Sequence, residues 1–502
     1  MTPVALAVVI AAILVPGALY FRLGLREKRA IRSVEDFIPL RRFLSSGELR
    51  ATVVAAGISM ATVMVALINL APLMGIALFW TIVTYALGFG ILVGVAPRIM
   101  DANPGNLTIQ AYLGQAYGSN GVRLAATIFT LIGYLSIFSM ELLVSVSVLS
   151  PFFGSWVVAF AVVYLVFLLA YTGLGGYRGV VATDVWQLRF IVLSIVALVG
   201  YITWNYGRYG LSASFERFRA TDLGSWKASL AFVLGIAAMN IPAPISDAGT
   251  WQRICSADST ATARRALRGA VAFFVALWSA LIVIGCLHPT LRHLDTTWRV
   301  SNEPLMTGIL RALGSENSVV LLPLLFLLVV GLFSAMISTA DSLLIAAAQI
   351  ALTGFRNPHW LASRPEHALR VARALVIVLA VGAFAIFLIF YAMSFDVVQL
   401  VFAIYGAQLA MFPTTAVALF LSDRCDLRKL RQAALASILG GFVAAWACAV
   451  YGRVTGSVDL QFYAPAFALA ASAAVIVPGV LRAWRVDDKH ERSRYRAPDD
   501  RR

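Results

Sequence analysis

Residues 334–342, SAMISTADS, put three hydroxyls and a carboxylate on one helical stripe inside a strongly apolar run, 319–350. Ser334, Ser338, Asp341 and Ser342 stand at i, i+4, i+7 and i+8, which is one face of a helix, and Thr339 adjoins Ser338. An ionised Asp at the centre of a membrane helix costs about 2.5–3.5 kcal/mol on insertion scales, so it is rarely idle. Hydroxyl and carboxylate oxygens on a shared face suit a hard cation, which takes oxygen ligands. The structural alternative is Ser/Thr bonding back onto the helix and close packing through small residues.

The rest of the chain supplies the setting. Of 502 residues, 60% are hydrophobic and 13% charged, with a mean hydropathy of +0.83. That composition excludes a soluble globular domain. Apolar runs long enough to span a bilayer recur about thirteen times, from 2–24 through 462–482, and no segment is long enough for a soluble domain. With the N-terminus outside, the inner loops and tail hold 31 of the 40 Lys and Arg, and the outer loops 8. This asymmetry predicts a cytoplasmic C-terminus. The net charge of +15 is then the mark of cytoplasmic loops lying near anionic lipid, with no nucleic acid required. The first run is too long for a signal peptide, and its positive charges follow it instead of preceding it. It reads as a retained span.

Other chemistries lack their residues. The four cysteines form no C-x-x-C and the five histidines no metal spacing. No H-E-x-x-H or G-x-S-x-G is present, so an enzyme is not indicated. None of the four lysines stands in a G-K-[ST] context, which argues against an ATP-driven pump.

Two spans carry helix breakers. The second contains Gly57 and ends with Asn69, Pro72 and Gly75. The seventh ends in MNIPAPISDAG, where Pro242 and Pro244 cannot donate backbone hydrogen bonds. Non-helical backbone at membrane depth survives only inside protein or beside a cavity. Interruptions at matching places in two halves, here about 180 residues apart, point to a transporter's midplane site. The alternative is a proline kink that serves packing alone. An odd-numbered repeat also returns the chain to the opposite side, so two five-helix units would be inverted.

Three motifs carry a resemblance. YTGLGGYRGVVATDVWQ (171–187) is a Gly-Gly turn running into the sixth span, TWQRICSADSTATARRAL (250–267) follows the broken seventh span, and SAMISTADSLL (334–344) lies in the ninth. Together they resemble the sodium:solute symporter family, whose members carry proline, pantothenate, sugars or sialic acid. The resemblance covers about residues 2–484. It implies an all-α LeuT-type fold, a 5+5 inverted repeat with one extra helix before and two after. The segments would be a first helix and basic loop (1–45), a first repeat (46–204), a second repeat (225–422), C-terminal helices (431–484) and a charged tail (485–502) that is disordered or lipid-bound.

It also implies ligands for Na+: the Ser338 and Thr339 hydroxyls, the Ala335 carbonyl, and carbonyls near Met60 and Val63. This chain has Thr62 and Met64 where relatives often carry Asn or Asp with Ser. A second Na+, found in some relatives, would map to Asp184, Asp341 and Ser342 with Ser338. Asp184 also reads as an acidic residue favoured near a helix start. Solute contacts would be Asn69, Glu141, Asn240, Asp247, Tyr405 and Gln408. Glu141 either faces the solute or pairs with Arg189, the basic residue inside a span. The aromatic inner gate common near position 249 is Gly249 here, with Trp251 two residues on.

The resulting expectation is Na+-coupled symport of a small polar organic solute, such as an amino acid or carboxylate, into the cytoplasm by alternating access. The protein would act as a monomer in the plasma membrane. Proton coupling and a transporter-like sensor without transport are the alternatives.

Overall fold

The computed structural model describes residues 2–39, 42–103, 108–209, 228–292, 305–315, 318, 320–355, 363, 365–393 and 397–494. Among them the secondary structure is helical, with a single isolated bridge between Leu44 and Ala257. The long segments are α1 (Pro3–Lys28), α2 (Ser46–Gly57), α3 (Ala66–Met74), α4 (Phe79–Ala102), α5 (Asn120–Phe153), α6 (Val157–Tyr209) and α7 (Leu230–Asn240). They continue with α8 (Ala248–Cys255), α9 (Thr260–Arg292), α10 (Leu305–Ser315), α11 (Leu321–Phe355), α12 (Pro365–Ala392), α13 (Val397–Gln408), α14 (Phe412–Leu421), α15 (Arg431–Thr455) and α16 (Ala464–Arg494).

Ten segments of the described residues are long and apolar enough to cross a membrane, or eleven if α2 and the bent helix after it make one span. One of the ten, Asn120–Trp204, is an 85-residue run interrupted by positive-φ glycines at 154 and 176. There this count and the expected thirteen part. The backbone is helical as far as Arg494, into the segment expected to be a disordered or lipid-bound tail, and 495–502 lie outside the described residues.

The packing inverts that of a soluble protein. Large apolar side chains such as Leu14, Val163, Val196, Val378 and Val443 face outward, while Thr52, Glu141, Asp184, Arg253, Ser338 and Asp341 are buried. In hydrocarbon the polar groups have only one another for partners. Helix α11 occupies the centre, against α1, α5, α6 and α12, and α9 lies across α2, α3 and α4. Helix α1 is fastened into the bundle by its buried face (Ala5, Val9, Ala12) and by Tyr20, whose hydroxyl meets that of Ser334 at 2.8 Å.

Both predicted interruptions are present. Helix α2 opens with a capping box, in which Ser45 Oγ donates to Glu48 at 2.7 Å and accepts from its N–H. It ends at Gly57, where the axis bends by 59°. Ile58 and Ser59 are non-helical, and a π-helical turn, Met60–Val65, leads into α3. Gly57 is needed for a close approach more than for its dihedrals: a Cβ there would lie 2.7 Å from the Phe274 ring. The second break runs from Ile241 to Asp247, with one short turn over Ala243–Ser246, and Asp247 then caps α8.

The Gly-Gly turn divides α6 at Gly176 (φ 51°, ψ −153°), a region open essentially to glycine alone. A Cβ there would sit 2.7 Å from both the ring and the carbonyl oxygen of Phe37. Gly176→Ala therefore costs on the order of 1–3 kcal/mol and lowers the melting temperature in detergent. An unchanged melting temperature would contradict this account of the turn.

Candidate functional site

A cavity of about 250 Å³ lies between the two interrupted spans. One wall is aromatic, with Tyr85 stacked on Trp278 at 4.4 Å between ring centres and Phe89 beside them. A second aromatic group lining the cavity is Phe232, Phe402 and Phe462, with Phe462 placed 5.6 Å from Phe232 and 4.8 Å from Phe402. Polar groups collect at the breaks. Asn240 donates through Nδ2 to the Thr81 carbonyl (3.1 Å) and the Thr84 hydroxyl (3.2 Å). Asp247 accepts from the Thr250 N–H (2.6 Å) and hydroxyl (2.8 Å). Tyr134 donates to the other Asp247 oxygen at 2.5 Å and accepts from the Gly249 N–H at 2.8 Å.

Of the expected solute contacts, Asn240, Asp247, Tyr405 and Gln408 line this cavity, as do Val63, Thr339 and Ser342. Asn69 and Glu141 do not line it. Asn69 is turned toward α10, where its Oδ1 accepts from the Met306 N–H at 3.1 Å. Glu141 adopts neither of the roles expected for it. It takes the Ser59 hydroxyl proton and the Ala61 N–H (3.2 Å), and so caps the amides left bare where the second span breaks. Negative charge is favoured at such amide-bearing helix starts. Arg189 is exposed and lies over the Trp186 ring, 4.6 Å from its centre.

Beside the cavity, toward the end of the bundle where α2 begins, lies a buried network. Asp184 receives the Thr52 hydroxyl at one oxygen and that of Ser338, at 2.6 Å, at the other. Tyr171 donates to Asp341 Oδ2, and Asp341 Oδ1 has no partner. Arg253 extends from α8 into this network. Its Nη2 donates to Ser342 Oγ (2.7 Å), its Nε to Thr52 Oγ1 (3.1 Å) and its Nη1 to the Gly249 carbonyl (3.2 Å).

Five participants escaped the sequence reading: Thr52, Ser59, Tyr134, Tyr171 and Arg253. Arg253 is one of the 31 Lys and Arg that the charge count puts on the inner loops and tail, yet it is 7% exposed. Its place directly after a broken span was the available signal. Ala335, Ser338 and Thr339 are all buried on α11, the helix that packs against the π-helical turn carrying Met60 and Val63. A Ser338 hydroxyl whose proton goes to Asp184 keeps lone pairs for a cation, and the Thr339 hydroxyl has no partner. With carbonyls near the break, this all-oxygen set suits a hard cation.

The capping role of Glu141 is directly testable. Glu141→Ala leaves the Ala61 N–H and Ser59 hydroxyl unpaired in a dry interior, which costs about 1–3 kcal/mol for each such group. Glu141→Gln, which keeps an acceptor, loses less. Melting temperatures of the two variants check the order, and equal values would remove the capping assignment.

No family model and no curated protein sequence matches the chain. Among solved structures, it is similar to a Na+-coupled sialic acid symporter in a substrate-bound outward-open state (TM-score 0.77, 18% identity, covering 94% of this chain and 98% of that one). It is also similar to Mhp1, a nucleobase-cation-symport-1 family transporter in a closed conformation with bromovinylhydantoin bound (TM-score 0.55, 16% identity, 90% and 95% covered). A third is MhsT in complex with L-phenylalanine (TM-score 0.52, 12% identity, 88% and 99% covered). At these identities the likeness is one of fold, and the chain has the all-α LeuT-type fold that these proteins share.

Proposed function

We propose that the protein is a secondary active transporter that carries a small organic solute into the cytoplasm together with Na+. The observation that carries this reading is the meeting of a broken span with α11. Helix α11 meets the π-helical turn, and it carries the unpartnered Thr339 hydroxyl, which lines the cavity, and the Ser338 hydroxyl, which donates to Asp184. The Na+ would take the Ser338 and Thr339 hydroxyls, the Ala335 carbonyl, and carbonyls near Met60 and Val63. The solute would be held by Asn240, Asp247, Tyr405 and Gln408 between the aromatic walls. The solute-bound and Na+-coupled proteins of the same fold support the reading, and so does the double interruption, which lets paired half-helices move against their neighbours.

Coupling follows from which contacts the cation completes. Na+ bridging α11 and the bent second span ties together two elements that must separate for release, and it biases the carrier toward the loaded state. The inward potential assists entry by about 2.3 kcal/mol per charge per 100 mV. The segment boundaries 46–204 and 225–422 would be the two repeats. The Lys and Arg distribution would put the N-terminus outside and the C-terminus in the cytoplasm.

Proton coupling is a second reading, favoured by the unpartnered Asp341 Oδ1 beside the Tyr171 contact. The two separate in proteoliposomes screened with amino acids, carboxylates, sugars and vitamins. Under Na+ coupling, an imposed Na+ gradient drives accumulation of one of these solutes, and Ser338→Ala or Thr339→Ala lowers uptake at least about tenfold, the equivalent of losing one ligand worth about 1.4 kcal/mol. Accumulation that ignores Na+, follows a proton gradient and vanishes in Asp341→Asn would favour the second reading.

A further inference from the structure

We infer that the outward face of α9, at the end of the bundle where α2 begins, is a binding site for an anionic phospholipid. Four arginines define it. Arg264, Arg265 and Arg268 stand in the first turns of α9, all exposed, and with Ala261 they line a recess of about 350 Å³. Arg50 comes from α2, and its stem crosses α9 at Gly269, where a Cβ would lie 2.7 Å from Arg50 Cδ. Its guanidinium rests 5.7 Å from the centre of the Phe273 ring, one turn along. None of the four forms an ion pair with a described residue. The acids nearest in sequence are committed to caps: Glu48 accepts from the N–H and hydroxyl of Ser45, and Asp258 from Ser259 and Thr262. Four like charges gathered along two turns of α9 favour an anion between them. A guanidinium fork also matches the oxygens of a phosphate.

Depth and the surface next to the arginines assign that phosphate to a lipid. From Gly269 to Leu287, where the apolar span ends, α9 rises about 28 Å at 1.5 Å per residue. A bilayer's hydrocarbon core is ~30 Å thick. Arg268 therefore sits at the edge of that core, with Arg264 and Arg265 about one turn farther out, at the level of the phosphates. Ala272, Val275, Ala276 and Val283 are exposed as well, and their spacing continues the helical stripe that begins at Arg264, Arg265 and Arg268. The face thus changes along its length from guanidinium to hydrocarbon, as a phospholipid changes from headgroup to acyl chains. A free phosphate would use the first part and leave the second without a partner. Because Arg50 belongs to α2 and the others to α9, a bound headgroup bridges the first half of the broken span to its neighbour.

Native mass spectrometry of the purified full chain in detergent counts the lipids bound. The probes are dioleoylphosphatidylglycerol, dioleoylphosphatidylcholine with the same chains, and inorganic phosphate. The expected result is a saturable site for phosphatidylglycerol, at least about tenfold tighter than for phosphatidylcholine, that millimolar phosphate does not empty. Arg264→Gln/Arg265→Gln/Arg268→Gln should lose this preference. Removing three exposed charges elsewhere, in Arg428→Gln/Lys429→Gln/Arg431→Gln, should keep it. Equal binding of the two lipids by the wild-type protein overturns the inference without recourse to any variant. So does a preference that survives the first triple variant, or one lost equally in both, which would reduce the patch to net charge. Displacement by millimolar phosphate would make this a site for a soluble anion and overturn the lipid assignment. The substituted residues are all exposed, so melting temperatures without lipid should match the wild-type value.

Discussion

A carboxylate without water must be surrounded by donors, and the interior of this protein is arranged around that demand at Asp184. Its two oxygens are claimed by Thr52 from α2, the first half of the second span, and by Ser338 from α11. One side chain of α6 thus joins the two elements whose relative position matters most to any cation held between them. The hydroxyl protons are spent on the carboxylate, and the hydroxyl oxygens are left facing elsewhere. Burying a charge that is paired and hydrogen-bonded is tolerable, whereas stranding it by removing one partner is strongly unfavourable. The arrangement therefore holds α2, α6 and α11 in register.

The two interruptions use the same chemistry by different routes. Each exposes backbone amides at a depth where lipid offers nothing to accept from them. At the first, Glu141 is supplied from α5, across the bundle, and takes the Ser59 hydroxyl and the Ala61 N–H. At the second, Asp247 is supplied by the break itself and takes Thr250, with Tyr134 of α5 holding its other oxygen. Helix α5 thus serves both breaks, through two residues seven apart and so on the same face. The second break needs its own acid because the prolines before it remove donors but leave the start of α8 uncapped.

Much of this was readable from residue types and spacing. The stripe Ser334, Ser338, Asp341, Ser342 and the prolines at 242 and 244 declared themselves because polar or helix-breaking residues in an apolar span are costly. The Gly-Gly turn at 176 was equally clear. What failed to show was partnership. Glu141 and Arg189 look like a pair in a list of intramembrane charges, but helix rotation sends Arg189 outward to Trp186, and only the bend at Ser59 explains Glu141. The resemblance places Asn69 at the broken second span among the solute contacts, yet its Oδ1 accepts from the Met306 N–H of α10. The burial of Arg253 is hidden for a related reason: loop charge and core charge read alike until the chain direction after the second break is known.

The clasp between Tyr20 and Ser334 joins residues 314 positions apart. Helix α1 leaves the ribosome long before its partner exists. At about 5–20 residues per second the interval is on the order of 15–60 s. During that time a tyrosine hydroxyl destined for the protein interior has only lipid, insertion machinery or provisional neighbours to satisfy it. Assembly of this bundle is consequently a problem of waiting, in which Tyr20 enters the bilayer well before Ser334 is there to meet it.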